Sequence, residues 1–314
     1  MKAALYITPL IALAAAPVAA ELDTMTIQNL PLSAEENRLV CYDSASGKLG
    51  NCPGRETSIS VDCNLPAASI TDAIEKATTA AGVALTVNIS GTCNETLEIE
   101  RPNTLLLGDG TATIVAQKTS LGAITVITGP VEMENLVVAG GTGPGITVWP
   151  GGSLFPNDVT ITSEKTALSA FGGKAVLIQG NDVSSSGTDN HAVVARDGGS
   201  VYMGSNNTLS SPTTFASTNA TLGIYRGSSV TVQGDGNQIS NTDPGLDSLA
   251  LKLTQGAHFR QEKGHSVLNG GVRIINMSSA DFRDVEIEGD IFAKIFASLH
   301  FEDQDSDGVP TDTV

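Results

Sequence analysis

Three groups of side chains have the types and spacing for chemistry. Near the C-terminus, Asp303, Asp305 and Asp307 alternate ahead of Gly308. That pattern offers hard oxygen ligands and a tight bend, the needs of a calcium loop. The loop's twelfth position is Val314 rather than a bidentate Glu, with Asp312 as a substitute. The spacing therefore predicts a partial, weak calcium site, with a merely solvated acidic end as the alternative. In mid-chain, Trp149, Arg196, Tyr225, Arg226 and Lys252 supply planar and cationic groups, and Asp189, Asp243 and Asp247 lie in nearby loops. Together they could hold a sugar chain by ring stacking and hydrogen bonds. The third group is Cys41, Cys52, Cys63 and Cys93. Four cysteines allow three disulfide connectivities. We favour Cys41 with Cys52 and Cys63 with Cys93, the first pair bracketing a turn-rich stretch that reads as a stapled hairpin. Zinc is the rival use, but no C-x-x-C pair is present.

The elements that must position these residues come from a repeat. A short alternating apolar stretch followed by small residues recurs as Ile146-Thr147-Val148 before Gly151, Val193-Val194-Ala195 before Gly198, Leu222-Gly223-Ile224 before Gly227 and Leu251-Lys252-Leu253 before Gly256. Further copies precede Gly108, Gly129, Gly172, Ser279 and Ser298. These marks fall about 19 to 29 residues apart, the size of one solenoid turn. Period-2 alternation specifies strands, and no unit carries a helical apolar stripe. A strand unit this small must stack on its neighbours to bury its inner side. The expected fold is all-β, a right-handed parallel β-helix. Asn at 135, 157, 181, 207 and 237, each two residues before an aliphatic, reads as a corner residue of successive turns, with His265 as a variant of it.

Counting two positions back from each mark places Trp149, Ala170, Arg196, Tyr225 and Thr254 on one outward face. Arg196 and Tyr225 would then stack about 5 Å apart, with Arg226 and Lys252 close by. The longest units carry polar loops at 184–190, 210–219 and 241–248, and insertions on one side of a solenoid often build a binding face.

Residues 1–20 combine Lys2, an aliphatic run and Val18-Ala19-Ala20, the pattern of a cleaved secretory leader too short to span a membrane. The chain carries a formal charge of −17, which disfavours nucleic acid and anionic membrane surfaces as partners. The reading divides it into a leader at 1–20, a hairpin region at 21–60, the β-helix at 61–302 and an acidic tail at 303–314. Ser69 can cap a helix over 70–81 with an apolar stripe of Ile70, Ala73, Ile74 and Ala77 and a stop at Gly82. Laid across the end of the stack, such a helix would cover open strand edges.

Val61-Asp62-Cys63, this helix, Val87 to Glu95 and Leu105-Leu106-Leu107-Gly108-Asp109-Gly110 resemble the opening of secreted pectin-lyase-like β-helix proteins, over roughly 61 to 302. The resemblance implies the fold and export, and leaves activity open because the superfold hosts many functions. Polygalacturonase-type hydrolases of that kind use Asn-Thr-Asp, Asp-Asp, Gly-His-Gly and Arg-Ile-Lys motifs. Here Asn241-Thr242-Asp243 is followed by a broken Gly264-His265-Ser266 and a broken Arg273-Ile274-Ile275, without the paired Asp. The Arg-x-Pro-x-x-Arg stretch of pectate lyases is absent. Two readings follow. The first is a secreted, non-catalytic protein recognising glycan or another extracellular macromolecule. The second is a polysaccharide lyase or glycoside hydrolase with a divergent site built from Arg196, Arg226, Lys252, Asp189 and Asp243.

Overall fold

A computed structural model describes residues 40–43, 48–51, 56–77, 83–118, 122–213, 219–243 and 248–302. The leader, Cys52, the calcium motif with Asp303, Asp305, Asp307 and Asp312, and Asp247 lie outside the described residues, as does the Cys41 to Cys52 bridge. Val40–Asp43 and Lys48–Asn51 pair as the expected antiparallel hairpin, in a unit ending at Pro53. The second unit is a parallel β-helix. Its strands form three parallel sheets of eleven, nine and nine strands, in which each strand pairs with its counterparts one turn away. One turn runs through Gly152–Asn157 on the first face, Thr160–Ser163 on the second and Leu168–Phe171 on the third, then returns to the first at Lys174–Gln179. The first face begins at Glu56–Asp62 and ends at Ser298–Glu302.

Alternation within each strand sends one side chain in and the next out. On the third face the inward columns are Ile124, Ile146, Leu168, Val193, Leu222, Leu251, Val272 and Val126, Val148, Ala170, Ala195, Ile224, Leu253, Ile274. All are completely buried, including every inward residue expected from the repeat. The marks at Gly151, Gly172, Gly198, Gly227 and Gly256 fall at the corner from third face to first, whereas Gly129, Ser279 and Ser298 begin first-face strands and Gly108 ends one, out of register with the rest. Asp197-Gly198, Arg226-Gly227 and Gln255-Gly256 are successive left-handed pairs (φ between 54° and 82°) that turn the chain from third face to first.

The corner between the first and second faces holds the asparagines, with a correction. Asn181, Asn207 and Asn237 are fully buried and form a ladder, in which each Nδ2 donates to the next Oδ1 at 2.8 and 3.1 Å. Asn135 and Asn157 are out of this column, because Leu136 and Val159 occupy the ladder position in their turns. The C-terminal rung is Ser266, paired with Asn237, rather than His265. His265 is exposed, with Nδ1 3.0 Å from Asp284 Oδ1.

The helix is shorter than the 70–81 expected, Ile70–Lys76, with Ser69 as its N-cap. Glu95 Oε1 accepts from the Ile70 N–H at 2.7 Å and Oε2 from the Thr71 N–H at 3.1 Å, so a carboxylate from the stack meets the helix start. Arg101 ends it: Nη1 donates to the Ala77 carbonyl at 2.9 Å and Nη2 to the Val83 carbonyl at 3.2 Å. Cys63 and Cys93 are joined as expected, with Cα atoms 5.0 Å apart. Among the described residues no helix is long and apolar enough to cross a membrane.

Candidate functional site

The outward side of the third face carries two columns. One reads Thr125, Thr147, Ser169, Val194, Gly223, Lys252 and Arg273. The other reads Phe171, Arg196, Tyr225 and Thr254, with Trp149 beside Phe171. Ala170 is therefore not in the outward strip; it points inward, and Phe171 takes its place. Trp149, at 44 % exposure, meets Phe171 edge to face with centroids 5.0 Å apart. The Arg196 guanidinium lies 5.0 Å over that same Phe171 ring.

The expected Arg196 to Tyr225 stack does not form, because each side chain is taken up by another partner, Arg196 by Phe171 and Tyr225 by His191. Arg196 turns back one turn onto Phe171. Tyr225 folds across Gly223, where an added Cβ would stand 2.5 Å from the tyrosine Cε2 and 2.6 Å from His191 Cε1. Absence of a side chain at Gly223 is what lets the Tyr225 hydroxyl reach His191 Nε2 at 3.3 Å. From the following turn, Lys252, only 7 % exposed, lays Nζ 5.7 Å over the Tyr225 ring. Arg226 Nη1 pairs with Asp197 at 3.0 Å on the exposed corner.

A cleft of about 390 Å³ opens over this face. It is lined by Thr147, Ser169 and Val194 of the outward column, by Arg196, Tyr225 and Arg226 at the strand ends, and by Lys165, Asn190, His191 and Asn219 from the corners that lead into the third face. Asn190 Nδ2 donates to the Glu164 carbonyl at 3.3 Å, and Asn219 Nδ2 donates to the Asp189 carbonyl, so the loops brace one another. Asp189 enters this site through its backbone. Asp243 donates its N–H to Asn241 Oδ1 at 2.8 Å. Neither carboxylate is among the lining residues, and no carboxylate is among the described residues that line the cleft.

Burial sets the protonation states. It lowers His191 to about 4, against the opposing effect of the Ala220 carbonyl 2.5 Å from Nδ1, and Lys252 and Arg196 push in the same direction as burial. Burial also raises Tyr225 well above the usual phenol range, and burial followed by the Arg273 charge lowers Lys252. The imidazole is thus neutral near pH 7. Its Nδ1 hydrogen faces the Ala220 carbonyl, and its Nε2 lone pair accepts from Tyr225.

The sequence strip missed Phe171, Lys165, Asn190, His191 and Asn219. One signal was readable: Gly223 stands at an outward strand position where every neighbouring turn has a side chain. The only cluster of potential metal ligands among the described residues is Cys63, Cys93 and Glu95, whose cysteines form the disulfide and whose carboxylate holds the helix start. Set against known proteins, the chain matches no protein-family model and no curated protein.

Proposed function

We propose that this chain is an exported, right-handed β-helix of the pectin-lyase-like kind, its short helix closing the N-terminal end of the stack, that binds an acidic, uronate-containing polysaccharide in the cleft on its third face. The supporting observation is one of charge. In a chain of −17, Lys165 and Arg196 converge, with Arg226 and its partner Asp197 at the rim, on a cleft whose described lining holds no carboxylate. Low-dielectric walls focus that local positive potential on an anion. Asn190 and Asn219 sit among the cations as further polar contacts, and the aromatic pair of Trp149 and Phe171 extends the strip as a surface for sugar rings. Two-carboxylate glycoside hydrolysis fits this lining poorly, since the acid and base it needs would have to come from Asp189 and Asp243.

Calorimetry with acidic and neutral polysaccharides tests the reading. Uronate polymers should bind and neutral glucans should not, and Arg196→Ala or Tyr225→Ala should each weaken binding by roughly 1 to 2 kcal/mol. Equal affinity for wild type and the double variant, or equal binding of neutral glucans, removes the cleft from the function. In the same reading the tail residues Asp303, Asp305, Asp307 and Asp312 hold calcium weakly. A chain ending at Glu302 should lose the calcium heat of the full chain, and identical traces would leave the tail as solvated acid.

A further inference from the structure

The two ends of the β-helix differ. At the N-terminal end, Ile70 and Ala73 of the short helix are buried in the core. At the C-terminal end the three sheets finish in Val285–Glu288, Ile291–Lys294 and Ser298–Glu302, and no further strand pairs with any of them among the described residues. The core side chains of this last turn are open to solvent. Ile291, which follows Val272 in an inward column, is 43 % exposed, and Phe301 stacks on Phe282 with centroids 5.3 Å apart yet is 49 % exposed.

The corner from third face to first changes character at the same end. After Asp197-Gly198, Arg226-Gly227 and Gln255-Gly256, its left-handed pairs are Asn276-Met277 and Ile295-Phe296, with φ of 57°, 60°, 59° and 56° in these last four residues. Glycine holds such angles freely, whereas β-branched Ile and bulky Phe hold them under strain. No burial offsets that strain, since Ile295 is 52 % exposed and Phe296 87 %. Strain at exposed apolar residues points to a contact outside the single chain.

We propose that the C-terminal end of the stack is an interface with a second copy of this chain, the two meeting end to end about a two-fold axis. A lipid surface does not fit, because strand edges carry rows of N–H and C=O groups that hydrocarbon leaves unpaired and polypeptide can pair. Residues 303–314 do not fit either, with Asp at 303, 305, 307 and 312 and only Val309, Pro310 and Val314 apolar. A second copy supplies both backbone and apolar surface. The two-fold axis reverses strand direction, so each open edge meets an antiparallel edge and the core of one copy continues into that of the other. At their exposures Ile291, Ile295, Phe296 and Phe301 present about 450 Å² per copy, taking roughly 200 Å² for a whole side chain of this size. With the strand edges and the half-buried Ile287 and Leu299, two copies pass the ~1,000 Å² that a specific interface needs. With the helix closing the other end, as proposed above, association stops at two and does not run on as a filament.

Sedimentation of the full protein over a range of concentrations tests this. The expected result is an equilibrium between monomer and dimer that shifts toward dimer with added salt, which screens the repulsion between two chains of −17. Hydrogen exchange should slow at the amides of 285–288, 291–294 and 298–302 as the dimer fills. Ile295→Asn with Phe296→Gly gives the corner residue types that suit its angles. The double variant should therefore melt no lower than wild type at a dilution where both are monomers, while its dimer Kd rises about tenfold or more. A single-chain mass at every concentration and salt overturns the proposal, as does a dimer whose Kd the folded double variant leaves unchanged. A chain ending at Glu302 should associate like the full chain; association seen only after that truncation makes the tail the occupant and overturns the second copy. A ladder of masses above the dimer overturns the two-fold closure.

Discussion

Gly223 owes its importance to the tyrosine two residues on. The Tyr225 ring occupies the space above it, and that placement brings the hydroxyl to His191. Gly223→Ala puts a methyl group 2.5 Å from that ring and must displace it. Under the binding proposal the expected outcome is a folded protein whose cleft binds uronate polymers more weakly, checked by circular dichroism beside calorimetry. His191 leads to a prediction about pH. Its folded value, about 4, lies below the usual 6.5, so the unfolded chain takes the proton first as pH falls. Its contribution is complete above pH 6.5, declines from there to about 4, and amounts to roughly 3 kcal/mol across that window. Lys252 and Arg196 face the ring as charges and Tyr225 as a hydroxyl, and the two cations reinforce the sign. Denaturation of wild type and His191→Gln at pH 7 and pH 4 checks it: the variant should lose less stability on acidification.

At the scale of the element, the asparagine ladder shows how a corner is held. Asn207 Oδ1 accepts from both the N–H and Nδ2 of Asn181, and its own Nδ2 donates to Asn237 Oδ1. Asn207→Ala removes the acceptor of the buried Asn181 N–H, while Asn181 Nδ2 keeps the Pro156 carbonyl and Asn237 Oδ1 keeps the N–H of residue 207, so the change should cost about 1 to 3 kcal/mol in a urea melt. Asn135, exposed and left-handed (φ 52°), should lose less on the same change, about 1 kcal/mol of backbone strain. The Cys63 to Cys93 bridge closes a segment with a sequence separation of 30, and a loop of that length predicts about 3 to 4 kcal/mol of stabilisation. Replacing both cysteines by Ser and comparing melts measures it, and no change would mean that Glu95 and the strand ladder hold the helix unaided.

For the whole molecule, stability is a chain of nearest-neighbour contacts between turns. Ile224 is fully buried in the middle of one inward column, between Ala195 and Leu253. Ile224→Asp places a carboxylate there and should cost several kcal/mol or unfold the central turns, seen as a lowered or broadened melt. The charge distribution is also a property of the whole chain. A cationic cleft on a protein of −17 must work against the long-range field of its own surface. Salt screens both, so the short-range contacts of Arg196 should survive moderate salt better than a diffuse basic patch would. Binding that collapses between low and physiological salt would argue for diffuse attraction instead.

The columns of the β-helix were legible because a period-2 strand pattern is local: residues such as Ile146 and Val148 declare their inward side within three positions. The turn-forming marks, the hairpin and the Cys63 to Cys93 pair were legible for the same reason, being short-range or tied to one compact segment. The outward face was only half readable. Counting back from Gly172 landed on Ala170 because the corner there is one residue shorter than at Gly198, and a slip of one residue exchanges inside for outside. His191 lay just outside the repeated phrase, and nothing in its neighbours marks it. Its role depends on a carbonyl and a hydroxyl about thirty residues further along the chain, one turn up the stack. Local alternation determined the scaffold from sequence alone. Which outward side chains meet, and in which direction Arg196 and Tyr225 turn, was decided by packing between turns, because a side chain chooses its rotamer against neighbours that only the stack brings into contact.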